Sequence, residues 1–428
     1  MMEIKMRSNR YFLLAMLTMV GVLNFVDRQI LSILLEAIKT DLAFSDFQLG
    51  LLSGTLFAVF YSVVGIPVAR LADRWDRGKI VSIALFVWSA MTVVSGFASS
   101  FSHLALARIG VAIGESGVAP SSHSLIGDRF TTNRATALAV YSLGGIVGIF
   151  LALSVGGWIS DNYGWRSAFF AAGLPGVVLA FVAVFFVKDF RKSETFSKGL
   201  FMTAPGKRTL VEGVTFLWAL KAWRYAAIAT AFTHIASLGI GAFLASFLIR
   251  SYELSATNTG LIMAIVIGTC ATIGSLGGGM IADKLSVKFG IQWLSWTLAV
   301  TFALGSLLAP LVFMSTDLRL FVALLAPYYL FTSASAGVQF AIAQSVVGSS
   351  MRATSSAVLI LMINLFGLGI GPVLLGFLSD QIGGSESLRY AMLCMTPFTL
   401  AGAYYYYKAG VELPNDALKV EESAIADK

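Results

Sequence analysis

Runs of about twenty apolar residues recur along this whole chain, and nothing else in the sequence limits its fold so strongly. In a bilayer every backbone N–H and C=O must find a partner within protein, so runs of this kind fold as helices. A transmembrane barrel needs polar and apolar residues in alternation, and these runs do not alternate. Twelve spans are predicted, at 12–34, 48–69, 80–100, 103–125, 135–159, 166–187, 225–249, 258–281, 291–313, 319–345, 353–378 and 388–407. Only 12% of the residues are charged, against about 25% in a soluble domain. The predicted fold class is an all-α membrane protein of twelve transmembrane helices. It comprises a six-helix half at 1–187, a linker at 188–224, a second six-helix half at 225–407 and a tail at 408–428.

The net charge of +7 is explained by topology. With a cytoplasmic N-terminus, the opposite face carries five of the 30 Lys and Arg residues: Lys39, Arg166, Arg250, Arg319 and Arg389. Arg28 and Arg108 fall inside spans, and the remaining 23 are cytoplasmic. That asymmetry places both termini in the cytoplasm without invoking a nucleic-acid partner. The absence of any N-x-[ST] sequon fits a bacterial cell membrane. The linker segment Arg208–Arg224 reads as an amphipathic helix with aromatic anchors on the cytoplasmic interface, and the tail from Lys408 as polar and disordered.

The fourth span carries chemistry. It contains Arg108 and Glu115, seven residues apart and so on one helix face, roughly 10 Å apart along the axis. Charges at bilayer depth need a partner or a water-filled cavity. Gly110, Gly114 and Gly117 leave room for close helix approach or for a ligand, and Pro120 interrupts the hydrogen-bond ladder. The plainer alternative is an ion pair that locks two helices together. Asp27 and Arg28 stand in the first span, pointing about 100° apart.

Other chemistries lack their residues. Cys270 and Cys394 sit singly in apolar runs, three histidines form no metal motif, and no phosphate-binding loop is present. No cofactor and no metal are expected, and no nucleophile–base pair marks an enzyme.

The halves repeat. Ala72-Asp73-Arg74 matches Ala282-Asp283-Lys284, Arg134-Ala-Thr136 matches Arg352-Ala-Thr354, and Gly157-Trp-Ile-Ser-Asp161 matches Gly376-Phe-Leu-Ser-Asp380, at offsets of 210, 218 and 219 residues. Parallel six-span repeats are a transporter architecture. The loop Asp73-Arg74-Trp-Asp-Arg77 and its copy resemble the loop signature of the major facilitator superfamily. Asn24-Phe-Val-Asp27-Arg28, Arg108-x5-Gly114-Glu115, Pro120-Ser-Ser-His-Ser124 and Gly164-Trp-Arg166 resemble its Spinster branch. Arg70 and Asp76 depart from the general loop pattern, which has glycine there.

The resemblance implies a cavity lined by the first, fourth, seventh and tenth spans, gathering Asp27, Arg28, Arg108 and Glu115, whose charges sum to zero. A buried carboxylate is held ionised by a neighbouring arginine and favours the neutral acid when that arginine withdraws. Glu115 and Asp27 are therefore the candidate proton carriers. Arg28 and Arg108 offer planar forks for a phosphate or carboxylate. Asn24, Tyr61, Ser116, His234 and Gln339 are further binding candidates, while His123 reads as a cap or packing residue. A gating latch is implied at Asp73, Arg74, Arg77, Arg134, Asp283 and Lys284. Gly144, Gly145 and Gly148, with Gly367, Gly369 and Gly371-Pro372, resemble antiporter helices, although packing alone accounts for them.

The expected protein is a monomeric proton-coupled carrier of an amphipathic or lipid-like anion, moving its substrate by alternating access and held among membrane lipid. A carrier of small water-soluble organic anions is the alternative. A membrane-embedded lipid-modifying enzyme and a non-transporting sensor are the rivals from other classes.

Overall fold

In the computed structural model the apolar runs are helices, and no strand occurs among the described residues. The structure describes residues 10–130, 133–187, 189, 210–348 and 351–426, without the side chains at 66, 69, 70, 72–74, 135, 210, 211 and 419–426. The described chain divides into two compact units. Unit 1 comprises Met1–Thr203 with Glu253–Ala264, and unit 2 comprises Ala204–Tyr252 with Ile265–Lys428.

Unit 1 begins with α1 (Arg10–Leu42). Helix α2 runs from Asp46–Gly50 through a π turn at Leu51–Thr55 into Leu56–Arg74. Then come α3 (Arg77–Ser95), α4 (Phe101–Glu115), α5 (Val118–Arg129), α6 (Arg134–Tyr163) and α7 (Trp165–Phe186). Unit 2 carries α8 (Leu210–Ala219) and α9 (Lys221–Tyr252). Helix α10 (Ala256–Phe289) starts in unit 1 and continues in unit 2. The chain goes on through α11 (Gln292–Met314), α12 (Leu318–Thr332), α13 (Ser335–Ser345) and α14, which passes from Arg352–Met362 through a π turn at Ile363–Leu368 into Gly369–Ile382. It closes with α15 (Ser387–Leu393) and α16 (Thr396–Ala426).

Among the described residues, ten helical stretches are long and apolar enough on their own to cross a membrane. The fourth expected span is not one of them because Ser116-Gly117 divides it into α4 and α5. Pro120 lies in the first turn of α5, where its missing N–H is tolerated. The twelfth expected span is divided at Cys394-Met395, between α15 and α16.

Glycines set how closely these helices approach. A Cβ at Gly148 would stand 2.5 Å from the Val22 carbonyl oxygen, and one at Gly144 2.8 Å from that of Thr18, so α6 lies against the α1 backbone. Unit 2 repeats the device, since a Cβ at Gly371 of α14 would stand 2.5 Å from the Ile235 oxygen of α9. Packing thus accounts for these glycines, and for Gly114, whose Cβ would meet the Trp88 backbone nitrogen at 2.7 Å.

Acidic caps fix several helix starts. Asp76, the departure from the loop pattern, accepts from the Lys79 N–H at 3.0 Å and caps α3. Asp161 accepts from the N–H groups of Ala256 at 3.1 Å and Thr257 at 2.7 Å, and from the Thr257 hydroxyl at 2.5 Å. It therefore neutralises the positive end of α10 within unit 1.

Two sequence expectations change here. The segment 208–224 is not one interfacial helix: α8 ends at Ala219 and α9 starts at Lys221. Trp223 is fully buried in the core of unit 2, and its indole N–H donates to Ser355 Oγ at 2.8 Å. The start of the linker lies outside the described residues. The tail is not disordered from Lys408, because α16 continues to Ala426. Ala409 and Leu413 are buried in the same core, and buried Asp416 accepts from the Ala222 N–H at 2.9 Å, capping α9. Polar composition concealed a helix with one apolar stripe.

Candidate functional site

Four charges meet in unit 1, halfway along α1. Asp27 and Arg28 are neighbours in sequence but diverge around the helix, so each reaches α4 at a different level. Arg28 Nε donates to Glu115 Oε2 at 2.6 Å. Arg108 Nη1 lies 3.4 Å from Asp27 Oδ1, at the long edge of an ion pair. The Thr92 hydroxyl of α3 bonds to Asp27 Oδ2. Two oppositely directed pairs therefore join the same two helices: acid to base at Asp27–Arg108, base to acid at Arg28–Glu115.

Burial within the quartet is uneven. Asp27, Arg108 and Glu115 are at most 3% exposed, whereas the Arg28 side chain is 32% exposed. Arg28 is also edged by aromatic rings, with its guanidinium carbon 4.9 Å from the Tyr61 centroid, 5.1 Å from Phe57 and 6.0 Å from Phe25. Phe57 also stands 5.7 Å from the Arg108 guanidinium and stacks on Tyr61. These faces attract a guanidinium and present an apolar wall beside it. A part-exposed cation next to a buried acid is an arrangement that can exchange its partner for an incoming anion.

Not all hydrogen-bonding capacity is used. Asn24 Nδ2, Arg108 Nε and Glu115 Oε1 are buried without a hydrogen-bond partner. Ser116, by contrast, donates to the Ile113 carbonyl at 2.8 Å, back into the last turn of α4. His123 packs edge-on to Tyr141 at 5.3 Å.

The candidates in unit 2 stand apart from this quartet in the chain. His234 Nδ1 donates to the Thr230 carbonyl at 2.9 Å, which leaves Nε2 as the acceptor of the neutral ring. Gln339 is buried, and its Oε1 has no partner.

The loop candidates divide. The side chains of Asp73 and Arg74 lie outside the described residues. Asp283, Lys284 and Arg134 are exposed. Arg77 is buried and bonded throughout. Its Nη2 pairs with Asp128 at 2.5 Å and Asp189 at 2.7 Å, its Nε reaches Asp189 at 2.9 Å, and Nη1 bonds Ser124. The backbone N–H of Arg77 also donates to Asp189 at 3.1 Å. Sequence reasoning missed Asp128, Asp189, Thr92 and Phe57. For Asp128 and Asp189 the signal was that acids beside span ends need basic partners; for Thr92 and Phe57 the sequence held none. No cluster of three metal-ligating side chains occurs among the described residues.

This many-helix membrane fold, with a charge-balanced, partly open quartet inside one unit, is by its family and relatives that of an integral multi-pass transporter. The Major Facilitator Superfamily matches residues 17–366, and the chain belongs to it. It is 34% identical over 410 residues to an MFS-type efflux pump of Mycolicibacterium smegmatis, covering 94% of this chain and 93% of that one. It is 26% identical over 381 residues to the hexuronate transporter of Bacillus subtilis, covering 86% and 87%. It is also 26% identical over 421 residues to the sphingosine-1-phosphate transporter SPNS2 of Danio rerio, covering 90% and 81%. A crystal structure of a bacterial homolog to the human lysosomal transporter Spinster, inward-facing and unoccupied, superposes with a TM-score of 0.83 at 26% identity, covering 95% and 98%. Within the superfamily the chain is Spinster-related.

Proposed function

We propose that this transporter couples proton movement to the translocation of an amphipathic or lipid-like anion. The observation that carries the reading is the Arg28–Glu115 pair, in which a part-exposed guanidinium covers a fully buried carboxylate. An anionic head group draws Arg28 away, and Glu115, left in a low dielectric, takes up a proton. Substrate binding and protonation are then coupled reciprocally. Asp27 is the alternative carrier, held by Arg108 and Thr92. The rings of Phe25, Phe57 and Tyr61 around Arg28 favour an anion with an apolar body, and the likeness to SPNS2 supports the same class. Asn24, Ser116, His234 and Gln339 remain proposed binding residues. Asp73, Arg74, Arg134, Asp283 and Lys284, with Arg77, remain the proposed latch. The protein is proposed to act as a monomer in a bacterial inner membrane, with both termini cytoplasmic.

A small water-soluble organic anion is the second reading, favoured by the likeness to a hexuronate transporter over most of both chains. Flux into proteoliposomes under an imposed pH gradient separates the two. A labelled lysophospholipid or sphingoid phosphate is compared with a small dicarboxylate, using the native protein and Glu115→Gln. Lipid flux that follows the gradient and loses that response in the variant is expected. Dicarboxylate flux alone moves the substrate to the second reading. A full gradient response in Glu115→Gln removes Glu115 as the proton site.

A further inference from the structure

The unused hydrogen-bonding atoms beside the quartet are complementary. Asn24 Nδ2 is a buried donor and Glu115 Oε1 a buried acceptor, and neither has a partner. Asn24 precedes Arg28 by four residues on α1, so the two side chains share one helix face. Arg28 already holds the other oxygen of Glu115, at 2.6 Å. The carboxamide therefore stands one helical turn from the cation that occupies Glu115. Buried polar atoms left unpaired raise the free energy of the state that contains them, so an arrangement that pairs both is favoured as soon as the geometry allows it.

We propose that Asn24 is the second partner of Glu115, and that its N–H takes the free oxygen of the carboxyl, directly or across one water, when Arg28 turns to an anionic substrate. This rests on the reading of Glu115 as the proton site. Asn24 is then a positioning residue. It keeps the carboxyl from following Arg28 and holds it in one orientation while a proton arrives from the open aqueous face. The balance is simple: the carboxylate gains one proton, the O–H bond forms on the oxygen that Arg28 vacated, and the guanidinium keeps its charge for the substrate. An asparagine suits this task because its amide carries no charge, so it adds nothing to the neutral sum of the quartet. A lysine or arginine there would hold Glu115 ionised.

The groups around the pair are few. Arg28 and Asp27 come from α1, Arg108 from α4 itself, Tyr61 from α2, and Tyr141 of α6 lies in the field of Arg28, with His123 of α5 packed beyond it. Thr92, from α3, is occupied by Asp27. Asn24 is the unpaired amide donor one turn from Arg28, while the unpaired hydroxyls of Thr18, Ser62, Ser121 and Ser122 lie farther along the chain from Arg28 or on other helices.

The test needs no substrate, because protonating Glu115 at low pH removes the charge that holds Arg28 and frees it without one. Purified full-length protein in lipid nanodiscs is titrated while infrared difference spectra record the C=O stretch of protonated carboxyl groups. The component lost in Glu115→Gln belongs to Glu115. In Asn24→Leu that component is expected at higher frequency, since its carbonyl has lost a donor, and its titration midpoint is expected to rise, since a donor favours the ionised carboxyl over the neutral acid. Asn24→Ser, which restores a short donor, is expected to recover part of both changes. If Asn24→Leu does not fold, Asn24→Ala removes the same donor without added bulk. A Glu115 band whose frequency and midpoint are unchanged in the folded Asn24 variants overturns the proposal and leaves the proton site standing. A carboxyl spectrum that is the same in Glu115→Gln as in the native protein overturns the proton site itself.

Discussion

Arg28 and Glu115 are 87 residues apart in the chain and meet at 2.6 Å, with the cation 32% exposed and the acid fully enclosed. This difference in exposure sets it apart from the Asp27–Arg108 pair next to it, in which both partners are buried. The proposed function gives the first pair the exchange of partners, and the second joins α1 to α4 with both charges enclosed.

The holding pair is tested by charge removal. Arg108→Leu leaves Asp27 as an uncompensated buried charge and is expected to destabilise the protein by about 3–5 kcal/mol. Asp27→Asn added to it is expected to return most of that loss. Thermal unfolding of the purified variants in detergent reads both, and a double variant no more stable than Arg108→Leu alone contradicts the pairing.

Arg77 ties α3 to Asp128 of α5 and to Asp189 beyond α7. Arg77→Ala takes the guanidinium from the nearly buried Asp189 and is expected to cost about 1.5–3 kcal/mol. Arg77→Lys keeps the charge but loses the fork, so it is expected to recover only part. Chemical denaturation compared across the three proteins decides the matter, and equal stability of all three removes the clasp.

The cap at Asp161 has a local signature. Asp161→Ala is expected to expose the first amides of α10 and to cost about 1 kcal/mol. Hydrogen exchange at Ala256 and Thr257 should accelerate, with little change in the middle of that helix. Unaltered exchange at those two amides would show that the three bonds to Asp161 carry no weight.

Two glycines of one helix should respond differently. A methyl at Gly148 collides with backbone, 2.5 Å from the Val22 oxygen, while one at Gly145 meets only the Phe25 ring at 3.1 Å. Gly148→Ala is expected to lower stability by about 1–3 kcal/mol, and Gly145→Ala by much less. Similar melting temperatures for the two variants would mean that α6 does not depend on this approach to α1.

Removal of the chain beyond Lys408 tests the terminal helix. It deletes Leu413 from the core of unit 2 and the Asp416 cap from α9. Loss of a buried leucine alone costs about 2–5 kcal/mol. Poor yield or a lowered melting temperature is expected, partly reproduced by Leu413→Ala. A truncated protein as stable as the full chain would mean that this segment is dispensable.

The sequence by itself determined the membrane class, the many-helix fold and which charged residues lie inside apolar runs. Twelve apolar runs leave the backbone no other way to satisfy its polar groups, and Arg108 and Glu115 are conspicuous because a charge in such a run is expensive. Periodicity also placed them on one face of one helix. What it did not determine was pairing across the fold. Arg77 was read as part of a loop signature, yet its partners lie 51 and 112 residues away. Trp223 looked like an interfacial anchor and Asp416 part of a polar tail, but both are buried, the first in the core and the second at the start of α9. Local pattern reports which residues are costly to leave alone. Only tertiary packing decides who accompanies them, because partners that meet across helices share no spacing in the chain, and the glycines at which backbones touch set which faces meet.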